Sequence, residues 1–335
     1  MVRKGVPALA IVLLASCGGP SVEPGAGRSA QWKHFKSLPD AIDVAGPRHD
    51  GRLVAVTRTR LFLLDPAGAL SPFARGAHGF MGKSGGEPYL ALAPQRRLKS
   101  AGCSFHRDDV FVLQPGASPK VARVAAAGRA STFAKLPKGG FLNGIAFDGV
   151  GRFGHRLLVG SHFKGRNAIY ALDCTGHFRT VTSNAPTLEG GMAAAPTGFG
   201  RFGGDVIAAD EHSGHAYAIG PKGNAHRLPD SGFPKGGDIG VESLGFAPPN
   251  LAARDAFLAD LGAPGSPTKG TNSILRVRGS ALAKAGVKPG DLLLATEASA
   301  KTVAIRCGAT CTVRRVATGP AATHAEGHIV FSNPR

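Results

Sequence analysis

Acidic side chains are scarce in this chain: 22 Asp and Glu stand against 40 Lys and Arg, and aromatic residues make up only 7% of it, with one Trp and three Tyr. The basic residues are scattered rather than clustered, and there are few rings on which bases could stack. That combination argues against a nucleic-acid partner. Beyond residue 16 no long uncharged apolar run occurs, so a permanent membrane-spanning helix, which needs about 20 apolar residues, is excluded from that part. Neither a P-loop nor a His-Glu-x-x-His pattern is present, which leaves nucleotide-enzyme and zinc-protease readings without support. Cysteines are dispersed and form no Cys-x-x-Cys pair, so a structural zinc site is not indicated.

What is present begins at the N-terminus. Arg3 and Lys4 precede an apolar run from Val6 to Leu14, and small residues follow before a cysteine, the layout of a signal peptide. Leu14-Ala15-Ser16-Cys17 resembles the lipobox of bacterial lipoproteins, which implies cleavage before Cys17 and acylation of its thiol. The expected organisation is a signal peptide over 1–16, a Pro/Gly/Ser-rich tether over 17–38 and one folded domain over 39–335. The mature chain is then expected in the cell envelope, lipid-anchored on the extracytoplasmic side of a membrane, as a monomer. Without Arg3 and Lys4 the formal charge falls from +18 to +16, a balance suited to anionic lipid or cell-wall polymer. Four cysteines remain in an oxidising compartment, and an even number there suggests disulfides. Cys307 and Cys311 flank a three-residue connection and form one expected pair; Cys103 and Cys174 form the other by elimination.

The fold class follows from an internal repeat. Its third copy reads Asn143-Gly-Ile-Ala-Phe147, then Arg156 to Gly160, Ala168 to Leu172, a glycine turn, and His177 to Val181. The fourth runs from Glu189 through Asp205 to Ala209, His215 to Ile219 and Ala225 to Leu228. Others begin at Glu87 and Glu242, the latter grouped with Ala256 to Asp260 and Ser273 to Val277. Spacings of 56, 46 and 53 residues separate Glu87, Asn143, Glu189 and Glu242. A period near 50 with four short strands predicts an all-β fold, a β-propeller of six blades with four antiparallel strands each. Ring closure stays open, with five or seven blades as alternatives. His328 to Phe331 and Ala41 to Val44 compete for the inner place of the first blade, and the last copy, Asp291 to Arg306, lacks an evident inner strand.

The residue before each inner strand is repeatedly acidic or amide: Glu87, Asn143, Glu189, Glu242 and Glu326. Equivalent positions form a ring at one channel mouth, and four carboxylates there need a hard cation such as calcium, or buried arginines. Leu142-Asn143-Gly144 and the pairs Glu189-Gly190 and Glu326-Gly327 resemble the signatures of the regucalcin and gluconolactonase group of six-bladed propellers, related to strictosidine-synthase-like proteins. The resemblance implies one divalent ion, calcium by preference, at the mouth and lactone or ester hydrolysis. Glu189 and Glu242 depart from it by standing where an aspartate is expected. A second tier lies at the ends of the second strands: His162, Asp210-Glu211-His212, Asp260 and Glu297. Of these, His162, Glu211 and Asp260 are the candidate proton-handling residues. Two functions remain in view: a metal-dependent lactone or ester hydrolase, and a non-catalytic propeller that binds a small molecule, glycan or protein.

Overall fold

A computed structural model describes residues 29–82 and 87–334. Cys17 and the expected signal peptide lie outside the described residues.

The second strands of the blades are apolar on both sides, and that decides the architecture. Successive side chains of a strand point to opposite faces. Leu292 and Leu294 accordingly pack with Ile207 and Val241, while Leu293 and Ala295 pack with Leu258 and Leu275 on the other side. A sheet without a polar face has to be covered twice. Repeated for every sheet, this requirement arranges them radially around an axis, each core cluster lying between neighbours.

The described residues form six blades of four strands. From the axis outward, blade 1 is Ala41–Ala45, Leu53–Thr57, Leu61–Leu64 and Leu70–Phe73. Blade 2 is Leu90–Leu92, Val110–Gln114, Lys120–Val124 and Ala130–Lys135. Blade 3 is Phe141–Phe147, Leu157–Phe163, Arg166–Leu172 and Phe178–Ala185, and blade 4 is Met192–Ala194, Val206–Asp210, His215–Ile219 and Ala225–Arg227. The chain is therefore a β-propeller.

Its last two blades exchange strands, which corrects the grouping expected from the repeat. Val241–Phe246 pairs with Leu292–Thr296, not with Asp255–Asp260, and blade 5 continues through Thr302–Cys307 and Cys311–Thr318. The last copy thus has its inner strand some 50 residues upstream. Blade 6 combines Ala325–Phe331, Asp255–Asp260, Ser273–Arg278 and Lys33–Ser37. Lys33–Ser37 and Ala325–Phe331, from opposite ends of the described residues, close the ring in this one blade, leaving the inner place of blade 1 to Ala41–Ala45.

The tether is corrected as well. Ala30–Gln31 adds in parallel to Ala317–Thr318 on the rim of blade 5, and Lys33–Ser37 is the outer strand of blade 6. Between them Trp32 is 2% exposed and donates its indole N–H to Thr302 Oγ1 at 2.9 Å. A buried tryptophan with a satisfied N–H belongs to the fold, so the folded unit starts before residue 39. Disulfides join Cys103 to Cys174, tying blade 2 to blade 3, and Cys307 to Cys311 across one hairpin.

Candidate functional site

The inner strands crowd the axis. Glu189 and Glu326 are each followed by a glycine at positive φ, +80° for Gly190 and +67° for Gly327. A Cβ on Gly190 would run into Glu242, and one on Gly327 into Asp43. Glycine is needed because the backbone must turn left-handed exactly where an acid from another blade comes close. This gives the Glu-Gly pairs of the sequence a physical meaning.

Strand starts on the inner ring and strand ends on the second ring meet at one mouth. Glu87, Glu189, Glu242 and Glu326 arrive from the inner strands of blades 2, 4, 5 and 6, and Glu211 and Glu297 from the second strands of blades 4 and 5. With His324, the residue before Ala325–Phe331, they line a cavity of about 170 Å³. The Tyr89 hydroxyl lies 2.8 Å from Glu242 Oε1 and 3.0 Å from Glu326 Oε2. His324 Nε2 lies 2.7 Å from Glu297 Oε1 and 3.4 Å from Glu326 Oε1. The Asp238 backbone N–H donates to Glu211 Oε2 at 3.1 Å.

Seven carboxylates line this small space, Asp238 among them, and like charges and burial disfavour ionised acids there. The Glu326 carboxylate and burial push Glu87 up to about 7, with Arg58 pulling the other way. Burial, reinforced by Glu211, pushes Glu189 up to about 8. Burial also carries Glu297 up to about 9 against its hydrogen bond to His324, and it raises Glu242 together with the charge of Glu326. Burial alone would lower His324, but its bonds to Glu297 and Glu326 outweigh that and hold it at about 10. The cluster holds more carboxylates than basic groups, a deficit that bound protons or a cation would relieve.

The donor set fits a hard divalent ion. Glu242 Oε2 and Glu297 Oε2 are buried with no hydrogen-bond partner among the described residues, although buried polar atoms are normally paired. Carboxylate oxygens from several strands are the ligands calcium and similar ions take. Two smaller sets have mutually close ligand atoms, Glu189 with Glu211 and His212, and Asp238 with Glu297 and His324.

The sequence-derived candidates divide. Glu87, Glu189, Glu242, Glu326 and Glu211 share the cavity. Asn143 lies elsewhere, because its amide is taken within the blade 3 and blade 4 junction: it donates to the Leu188 carbonyl and accepts from Asn167 Nδ2 at 2.9 Å. His162 is held by its own hairpin, with Nδ1 3.2 Å from Asn167 Oδ1 and Nε2 accepting from the Gly165 N–H. Asp260 is fully buried behind the cavity and accepts from Thr271 and from the His324 backbone N–H at 2.9 Å. It positions His324 rather than facing the pocket. His324 and Tyr89 did not stand out in the sequence. The signal for His324 was its place two residues before Glu326, since alternation puts both on the same side of the strand.

No family model matches the chain, and no curated protein matches it. Among solved structures it is similar to virginiamycin B lyase from Staphylococcus aureus, with 10% identity, 82% of this chain and 69% of that one covered, and a TM-score of 0.46. A streptogramin B lyase gives 12% identity, coverage of 91% and 97%, and a TM-score of 0.45. A gluconolactonase from Xanthomonas campestris gives 13%, coverage of 78% and 97%, and a TM-score of 0.43. Similarities of this size transfer neither activity nor ligand to this chain.

Proposed function

We propose that this chain is a β-propeller tethered by a Cys17 lipid to the extracytoplasmic side of a membrane, and that its acidic mouth binds one divalent, calcium-like cation in support of lactone or ester hydrolysis. One observation carries the reading. Carboxylates from four blades converge on a single small cavity, and two of their buried oxygens have no hydrogen-bond partner among the described residues. Glu242, Glu326, Glu297, Glu189, Glu87 and Glu211 are the residues that would hold the ion, which when bound supplies Lewis acidity toward a carbonyl. The Tyr89 hydroxyl orients Glu242 and Glu326. His324 and Glu297 share a proton at the cavity wall, and Asp260 fixes the His324 backbone. The partners in this reading are a small molecule and the membrane, without nucleic acid, and the propeller acts as a monomer.

The cavity volume favours a second reading. At about 170 Å³ it falls below the roughly 300–1,000 Å³ of typical small-molecule sites, which suits an ion in a non-catalytic binding propeller. Metal analysis of protein purified without added metal, joined to a lactone and ester screen before and after chelation, tests both. Bound metal with chelator-sensitive hydrolysis supports the enzyme. Bound metal without turnover leaves the binding propeller, and protein that takes up no divalent ion overturns the site.

A further inference from the structure

The chain running from Cys17 enters the fold at the rim between blades 5 and 6, at Ser29 and Ala30. Beside that entry is a groove of about 660 Å³ whose lining includes Lys33, His34, Arg276, Arg278 and Lys284 and no carboxylate. Lys33, His34, Arg278 and Lys284 are exposed. Arg276 is partly neutralised by Asp255 at 3.7 Å and stacks on Phe35. Among the described residues, Lys33, Arg278 and Lys284 make no ion pair.

Strand register fixes which way this groove faces. At one end of blade 6, Lys33 pairs with Arg276 and Arg278 with Asp255. At the other end Ser37 meets Ser273, Ser273 meets Asp260, and Asp260 meets Ala325, the residue after His324. The basic groove therefore sits toward the end of the blade opposite the acidic cavity.

We propose that this groove docks the propeller on anionic phospholipid headgroups, with the acidic mouth held away from the membrane; the proposal rests on the Cys17 tether. Eleven residues lie between Cys17 and Ser29, and the twelve Cα steps they span reach at most about 40 Å, which keeps the groove within reach of the lipid. Stable attachment commonly combines an acyl anchor with a basic surface. Lys33, Arg278 and Lys284 gain from a negative leaflet once they come within a Debye length of about 8 Å of it, while Arg276 also borders a second pocket lined by Asp50 and Asp65. The chain's entry at Ser29 and the basic groove lie side by side, so tether and groove favour one orientation.

The test separates docking from acylation. Full-length Cys17→Ala protein, which cannot be acylated, is sedimented with vesicles containing phosphatidylglycerol and with purely phosphatidylcholine vesicles. Binding is expected to the anionic vesicles alone and to fall with salt. At about fivefold in affinity per basic residue, the triple variant Lys33→Gln, Arg278→Gln, Lys284→Gln loses at least tenfold. A control with the same charge loss at exposed sites elsewhere, Lys135→Gln, Lys138→Gln and Arg179→Gln, loses less than threefold. Equal losses in the two variants, or no preference for anionic vesicles, overturn the docking surface. Cell fractionation of wild type against Cys17→Ala reports on the lipid independently, so either reading can fail while the other stands.

Discussion

His328 Nδ1 lies 2.8 Å from Asp43 Oδ2, so the last strand of the chain is pinned to the neighbouring first blade beside the propeller axis. The Asp43 carboxylate also accepts from the backbone N–H groups of Val44, Leu90 and His328. The far ring nitrogen of His328 lies 3.1 Å from the Ile145 carbonyl and 2.9 Å from that of Met192, with the Met192 N–H further off at 3.3 Å. Acceptors thus face both nitrogens, which favours the doubly protonated ring. One imidazole touches blades 1, 3 and 4 from its place in blade 6.

Breaking this pair should be costly. Burial alone would lower the pKa of His328, but the Asp43 carboxylate and the carbonyls outweigh it and raise it. A raised folded pKa stabilises fully below the unfolded value of about 6.5, and that stabilisation is lost as pH rises through the folded value. His328→Gln and Asp43→Asn are each expected to lose about 3–5 kcal/mol at pH 6 by urea denaturation, the range for a broken buried ion pair. The gap between wild type and His328→Gln should narrow toward pH 9. A gap that widens with pH would contradict the charged imidazole.

The two disulfides should contribute unequally. Cys103 and Cys174 are 71 residues apart, whereas Cys307 and Cys311 are 4 apart. Restricting the unfolded chain is worth about 4 kcal/mol for the long loop and about 2 kcal/mol for the short one. Replacing the first pair with alanine should therefore lower the melting temperature clearly more than replacing the second. Equal shifts in calorimetry would mean that loop entropy does not govern either bond.

The propeller architecture and the acids that head its inner strands were legible in the sequence because they depend on local patterns. Short apolar strands at intervals near 50 residues, with Glu87, Glu189, Glu242 and Glu326 at the heads of inner strands, are visible one copy at a time. Strand exchange between blades 5 and 6 was not legible. It depends on Ala325–Phe331 taking the inner place beside Asp255–Asp260, a pairing between distant segments that no local pattern encodes. Asn143 misled for a related reason. Its position in the repeat matches the acids, but Asn167 and Leu188 supply partners that draw its amide away from the cavity. Asp43 escaped notice as a lone acid inside an apolar strand, although it is the carboxylate around which the axis closes.

Membrane attachment is expected to depend on one thiol. If Leu14 to Cys17 is a lipobox, Cys17→Ala leaves the precursor uncut or releases the protein from the membrane fraction at high salt, where the basic groove is screened. Immunoblots of salt-washed fractions decide this. Normal processing with undiminished attachment would exclude acylation at this residue.

The acidic mouth gives the prediction with the clearest sign. In metal-free protein Glu87, Glu189 and Glu297 are raised to about 7, 8 and 9, above the carboxylate value of about 4.5 in the unfolded chain. The folded state then binds more protons than the unfolded state, so stability falls as pH rises from about 4.5 through those values. His324, raised to about 10, adds to the decline above about pH 6.5. The melting temperature in chelator should accordingly drop between pH 5 and pH 9. Calcium binds the ionised carboxylates, so it should counter the drop, and a free concentration a hundred times its dissociation constant restores about 2.7 kcal/mol. Uptake of the ion at pH 7 should release protons into a weakly buffered solution. Glu189→Gln removes a charge while keeping its size; it should raise stability in chelator at pH 8 and shrink the response to calcium. If protons alone neutralise the cluster, Glu189→Gln still stabilises but calcium changes nothing at any pH, and a melting temperature in chelator that rises from pH 5 to pH 8 would rule out both accounts of the buried acids.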